Sequence, residues 1–218
     1  MRVVVAGGHG KIARHFGRLL AERGDVAAGL VRDPGHAEDL RADGAEPVVL
    51  DLESADVDAV AAALSGADAA VFAAGAGPGS GVARKDSVDR AGSVLLARAA
   101  QQAGVRRFLQ VSSMGLDAPN PPEVGEVFGA YLDAKRAAEE DLRGRDLDWT
   151  ILRPGVLTDE APTGRVELAE RTRRDEVTRA DVAAVLVALL DEPRSAHRTL
   201  TLINGPTPVA EAVRAAVA

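Results

Sequence analysis

The chain has 218 residues, 46% hydrophobic and 27% charged, a composition that suits one folded domain of ordinary to large size and excludes a disordered chain. Its net charge of -7, from 26 Lys+Arg against 33 Asp+Glu, excludes the basic face that a non-specific nucleic-acid binder needs to displace counterions. The absence of cysteine excludes disulfides, thiolate metal sites, iron–sulfur clusters and a cysteine nucleophile.

The N-terminus predicts a strand over 2–6. Its apolar run is too short for the core of a signal peptide, so the cytoplasm is the expected location. No stretch reaches about 18 uninterrupted apolar residues, so neither a membrane span nor a membrane partner is expected. A helix over 11–23 follows, with Ile12, Phe16, Leu19 and Leu20 at helical spacing. Next come a strand over 26–32, a short helix over 34–42 opened by Pro34, a strand over 47–50 and a helix over 55–64. A strand over 69–74 leads to a long helix over 87–103, closed by Gly104. A strand over 107–112, a mostly helical stretch over 122–143 and a strand over 149–153 come after it. Thr178 caps a helix over 178–190, with Asp181 three residues on. Segments 199–203 and 209–217 close the pattern.

Short apolar strands alternating with helices predict parallel βαβ units with right-handed crossovers and helices on both faces. The expected fold is α/β: a single Rossmann-like domain over 1–218, built on an open, doubly wound parallel sheet. Its ligand site lies at the carboxyl ends of the strands, where the strand order reverses. The least regular stretches, 75–81, 116–125 and 158–174, fall at or just beyond those ends. A small substrate-side region is expected over about 155–178. The mixed-charge run 167–176 within it reads as a solvated surface.

The turn Gly7-Gly8-His9-Gly10-Lys11-Ile12-Ala13 joins the first strand to the first helix. Gly7 and Gly10 suit a tight turn with close backbone approach, and Ala13 is small enough to pack on the strand. Behind the turn, free amides and the positive end of the helix dipole suit a pyrophosphate. His9 is read either as a neighbour of the phosphates or as a turn residue facing water. The second strand ends in Arg32, where an NAD-binding chain tends to carry an acid for the ribose hydroxyl. A guanidinium there pairs with a 2′-phosphate, so NADP(H) is expected ahead of NAD(H), although Arg32 also reads as a plain solvated charge. Asp33 beside it complicates the pattern or caps the helix that follows. Asp51-Leu52, after the third strand, is placed to receive an adenine amino group or to cap the next helix. Ala73-Ala74-Gly75, after the fourth, forms a small-residue edge along which a cofactor can lie.

Tyr131 is the one tyrosine of the chain, and Lys135, one of three lysines, follows it at i+4. On a helix both side chains point the same way. A neighbouring ammonium stabilises phenolate, which suits a tyrosine that exchanges a proton with a carbonyl or alcohol oxygen. The fifth strand ends in Val111-Ser112-Ser113, where a serine hydroxyl can hold the same oxygen. The plainer alternative is a half-buried tyrosine, a solvated lysine and a polar loop start. His9, His15, His36 and His197 are scattered without acids at ligand spacing, so no metal is expected. Trp149 reads as core.

Taken together, GGHGKIA at 7–13, LVRDP at 30–34, VSSMG at 111–115, YLDAK at 131–135 and DWTILRPGVLTDE at 148–160 resemble the short-chain dehydrogenase/reductase superfamily. Within it the likeness is to the atypical NAD(P)-binding group that includes NmrA-like and epimerase/dehydratase-like small reductases. The resemblance implies that Ser113, Tyr131 and Lys135 form the Ser–Tyr–Lys set, with Lys135 also holding the nicotinamide ribose. It further implies that Arg153-Pro154-Gly155-Val156 runs past the nicotinamide with backbone groups near its carboxamide. Ala13, in place of a third glycine, departs from the common motif. The expected activity is NADPH-dependent reduction of a small carbonyl or related acceptor. Three alternatives stand beside it: an NADP(H)-binding sensor without turnover, a flavin or quinone reductase, and a nucleotide-sugar epimerase or dehydratase. The short stretch after Pro154 argues against the last. The expected partner is a small-molecule substrate, and the protein is a monomer or a homodimer.

Overall fold

The computed structural model describes residues 1–77, 79–120 and 123–218. In chain order it contains β1 (Arg2–Ala6), α1 (Lys11–Glu22), β2 (Val26–Val31), a 3-10 turn (Pro34–His36) running into α2 (Ala37–Ala42), β3 (Glu46–Val49), α3 (Val57–Ala63) and β4 (Ala69–Phe72). A single turn, α4 (Val82–Arg84), continues through a π-helical segment (Lys85–Gly92) into α5 (Ser93–Ala103). Then follow β5 (Arg107–Val111), α6 (Glu126–Arg143), β6 (Asp148–Pro154), β7 (Val156–Thr158), β8 (Arg165–Ala169), β9 (Glu176–Thr178), α7 (Arg179–Leu190), β10 (Arg198–Asn204), β11 (Thr207–Pro208) and α8 (Val209–Ala216).

One nine-stranded sheet runs in the order β11-β8-β10-β6-β5-β4-β1-β2-β3. From β10 to β3 every neighbouring pair is parallel. This is the expected doubly wound α/β fold. The central strands are continuous apolar runs because helices bury both faces. Val3, Val5, Val71 and Leu109 point to the face covered by Phe16 of α1 and by Val182 and Leu186 of α7. Val4, Ala70, Phe72 and Phe108 point to the face covered by Val60 of α3 and Leu96 of α5. The chain builds outward from β1 to β3 and then returns to lay β4 on the other side of β1. Ala6 pairs with Phe72 across that reversal, and a crevice opens beyond the two strand ends.

Local signals explain the helix ends. Gly104 takes a left-handed φ of 73° and closes α5. The Thr178 hydroxyl accepts the Asp181 amide at 2.9 Å and caps α7. Among the described residues, no helix is long and apolar enough to cross a membrane.

The structure departs from the sequence reading in two places. The stretch 158–174 is not wholly irregular, because β8 lies antiparallel to β10 and carries β11 on its outer side. Val166 and Leu168 are buried while the charged residues between and beside them face outward, a two-residue alternation hidden in a charged run. The helix expected over 87–103 begins earlier, through α4 and the π-helical segment. The start of the helix expected over 122–143 lies outside the described residues, and α6 is regular from Glu126.

Arg107 fastens the amino-terminal edge of the sheet. It donates to the Asp148 carbonyl at 2.8 Å, the Thr150 hydroxyl at 2.8 Å, the Leu189 carbonyl at 2.7 Å and the Ser195 hydroxyl at 2.7 Å. Burial pushes the guanidinium pKa down to about 10, which leaves it charged at neutral pH. Arg107→Met strands those acceptors, and urea denaturation is expected to show a loss of about 3 kcal/mol. A loss under about 1 kcal/mol would mean that water replaces the guanidinium without penalty.

Candidate active site

The crevice at the strand reversal is a cleft of about 320 Å³. Gly7, Gly10 and Ala73–Ala76 form one side of it, and Leu30, Arg32 and Leu50–Glu53 the other. Gly7 has φ of 80°, and a Cβ on it would lie 2.6 Å from the Ala74 Cα, so the two backbones touch. The Gly10 amide donates to the Gly7 carbonyl at 2.8 Å and closes the turn. Gly10 then starts α1 with no side-chain cap and no acid in the first turn. A helix N-terminus left in that state, behind a turn whose only side chain is that of His9, fits the pyrophosphate of a dinucleotide. Ile12 can contribute only backbone to such a ligand, whereas the Lys11 side chain is 67% exposed. The Lys11 ammonium pairs with Asp159 at 2.5 Å, and the Ile12 side chain is buried in the core.

Arg32 stands at the rim with its side chain 56% exposed, and its closest partner among the described residues is Glu53 at 3.5 Å. Glu53 is held more firmly by Arg84 at 2.6 Å and Ser87 at 2.7 Å. Those contacts, Arg84 foremost, keep its carboxyl below the ordinary range. The Arg32 guanidinium is therefore loosely tied and free to turn toward an anion. Asp33 accepts the Gly35 amide at 2.8 Å and caps the 3-10 turn. Asp51 lines the cleft and accepts the Glu53 amide at 3.0 Å, while the cap of α3 is Asp56. His9 lies in the cleft wall with Nε2 2.7 Å from Asp39 and its ring stacked on His36 at 3.7 Å. The His9 hydrogen bond holds the Asp39 carboxyl below its ordinary range. His9 and His36, scattered in the sequence, meet because the 3-10 turn after Arg32 folds His36 back onto His9.

Beyond the glycine turn, α6 presents Tyr131 and Lys135 on one face. Tyr131 is half-buried and stacks on Phe128 with ring centroids 5.7 Å apart. The Lys135 ammonium lies 5.8 Å from the Tyr131 ring centroid and donates to the Val111 carbonyl at 3.3 Å. Ser113, just past β5, is half-buried, and its hydroxyl donates to the Met114 carbonyl at 3.2 Å.

Two expected cofactor residues turn their side chains elsewhere. Ser112 donates to Glu139 Oε1 at 2.6 Å, and Arg153 forms two bonds to the same carboxylate, at 2.9 and 2.6 Å. Glu139 is fully buried, and a buried carboxylate requires this countercharge and these donors. Burial works against the Arg153 charge, but Glu139 and Asp117 outweigh it and raise the guanidinium pKa. In the run 153–156, which the resemblance places beside a nicotinamide, the Gly155 amide donates to the Leu202 carbonyl and the Val156 amide to the Asp175 carbonyl. The Pro154 carbonyl accepts the Met114 amide. What this run offers the solvent is the Val156 side chain, 71% exposed. Trp149 is buried, edge-on to His197. Among the described residues, no three His, Asp or Glu side chains gather as metal ligands.

Comparison with known proteins identifies relatives of this fold. The family model described as NAD(P)H-binding matches residues 7–193. A Bacillus subtilis protein named an uncharacterized sugar epimerase, YhfK, is 36% identical, covering 98% of this chain and 99% of that one. A structure from Bacillus halodurans, titled a putative NAD-dependent epimerase/dehydratase, superposes with a TM-score of 0.91 at 35% identity over 99% of both chains. ChuY of Escherichia coli O157:H7, titled an anaerobillin reductase, has a TM-score of 0.80 at 25% identity over 95% of this chain and all of its own.

Proposed function

The chain belongs to the NAD(P)H-binding family, of atypical short-chain dehydrogenase/reductase type, and from that premise we propose that it is an NADPH-dependent reductase of a small carbonyl or related acceptor. One observation carries the reading: Tyr131 and Lys135 share a face of α6 at the carboxyl edge of a sheet whose glycine turn suits a dinucleotide. A reduced nicotinamide, when bound, supplies the hydride.

The chain's residues do the rest. The amides at the start of α1 and the backbone of Gly7 and Gly10 hold the pyrophosphate. Arg32 pairs with the 2′-phosphate, and Leu30, Leu50 and Leu52 give the adenine an apolar wall. Tyr131 gives its phenolic proton to the substrate oxygen, Lys135 stabilises the phenolate left behind, and Ser113 orients the oxygen. A flat flavin or quinone acceptor is the second reading. Phe128 favours it, being 51% exposed beside Tyr131 while Phe16, Phe72 and Phe108 are fully buried.

The test is NADPH oxidation against aldehydes, ketones, quinones and flavins. Turnover of a carbonyl supports the proposal. Turnover confined to flavins or quinones selects the second reading, and tight NADPH binding with no turnover overturns both in favour of a sensor. For cofactor choice, Arg32→Ala is expected to weaken NADPH binding about tenfold and leave NADH binding within twofold, by fluorescence titration. Equal losses for both cofactors would remove Arg32 from 2′-phosphate recognition.

A further inference from the structure

The mechanism leaves a buried carboxylate beside Lys135 unused. Asp89 is 1% exposed and lies in the π-helical segment that joins α4 to α5. A buried carboxylate needs a countercharge, and Asp89 has one: the Lys135 ammonium, itself 4% exposed, lies 3.3 Å from Oδ1. Among the described residues Oδ1 takes no hydrogen bond, so it faces the ammonium as an ion pair. Oδ2 accepts the Ala76 amide at 3.1 Å. Ala76 and Gly75 line the cleft, and a Cβ on Gly75 would come within 3.2 Å of Oδ1. Asp89 therefore touches both the catalytic lysine and the wall of the cofactor cleft.

The helix around it departs from α geometry over eight residues, and such departures often mark functional sites. Lys135 has three N–H groups. One goes to the Val111 carbonyl and one faces Asp89, which leaves the third for a ligand.

We propose that Asp89 is a positioning residue that holds Lys135 in place and ties it to the Gly75–Ala76 wall. The role rests on the reductase reading for what Lys135 does, but the ion pair can be tested without turnover. Asp89 does not touch the reacting atoms and acts through Lys135.

The experiment is a double-mutant cycle with Asp89→Asn, Lys135→Met and the pair together. Three measurements are made on each: the thermal midpoint, the NADPH dissociation constant by fluorescence, and kcat and KM for any acceptor the wild type turns over. Each single change strands one buried charge, and the midpoint should fall by roughly 5–10 °C. The double variant removes both charges and should recover most of that loss. Asp89→Asn should weaken NADPH binding and lower kcat about tenfold, with acceptor KM within twofold, and should add nothing in the Lys135→Met background.

Losses that multiply in the double variant would show separate roles and overturn the proposal. So would an Asp89→Asn protein that melts, binds and turns over like the wild type. A wild type with no turnover on any acceptor counts against the reductase reading alone, and the melting and binding cycles still decide on Asp89.

Discussion

Tyr131→Phe is expected to lower turnover of a carbonyl substrate about 100- to 1,000-fold while NADPH binds within twofold of wild type. The change removes one oxygen and keeps the ring. The ring keeps its stacking on Phe128, and the Lys135 ammonium keeps its contacts with Val111 and Asp89. What is lost is the hydroxyl with its transferable proton. A drop in kcat with the acceptor KM nearly constant is the signature of an interaction made in the transition state. Stopped-flow NADPH oxidation on a carbonyl accepted by the wild type measures it. Undiminished turnover would move proton donation to another group or to solvent, and would favour acceptors that need no positioned acid.

Gly7→Ala is expected to raise the NADPH dissociation constant about 100-fold. A left-handed φ of 80° costs an L-residue roughly 1–2 kcal/mol, and the new methyl would stand 2.6 Å from the Ala74 Cα. Ala74 is backbone in the wall of the cleft and cannot rotate away as a side-chain tip does. The turn must shift, and the amides that open α1 shift with it. Stability should fall by about 2–3 kcal/mol, small enough for the fold to survive, so circular dichroism and fluorescence titration on the same sample separate misfolding from lost affinity. Retention of tight binding would show that the phosphates do not approach this turn.

Some features of the site are legible because their causes are local. An i, i+4 spacing puts Tyr131 and Lys135 on one helix face whatever the rest of the chain does. A glycine run between an apolar strand and an amphipathic helix is a βα turn from its own backbone needs, and continuous apolar strands between helices imply a parallel sheet covered on both faces.

Other features depend on which distant segments meet. Asp89 pairs with Lys135 only because β4 and β5 are neighbours and a π-helical stretch turns the carboxylate inward, and no residue pattern announces that stretch. Ser112 and Arg153 carry polar groups at the right strand ends, yet a buried Glu139 on α6 claims both. The demand of that buried charge outweighs any local preference. His9 meets His36 through the fold-back of a short turn, and β8 hides its alternation among charges until β10 offers it an edge to pair with. Short-range spacing and backbone preference decided the elements, the glycine turn and the shared face of α6. Long-range burial, with its need to pair every charge taken out of water, decided which side chains reach the cleft.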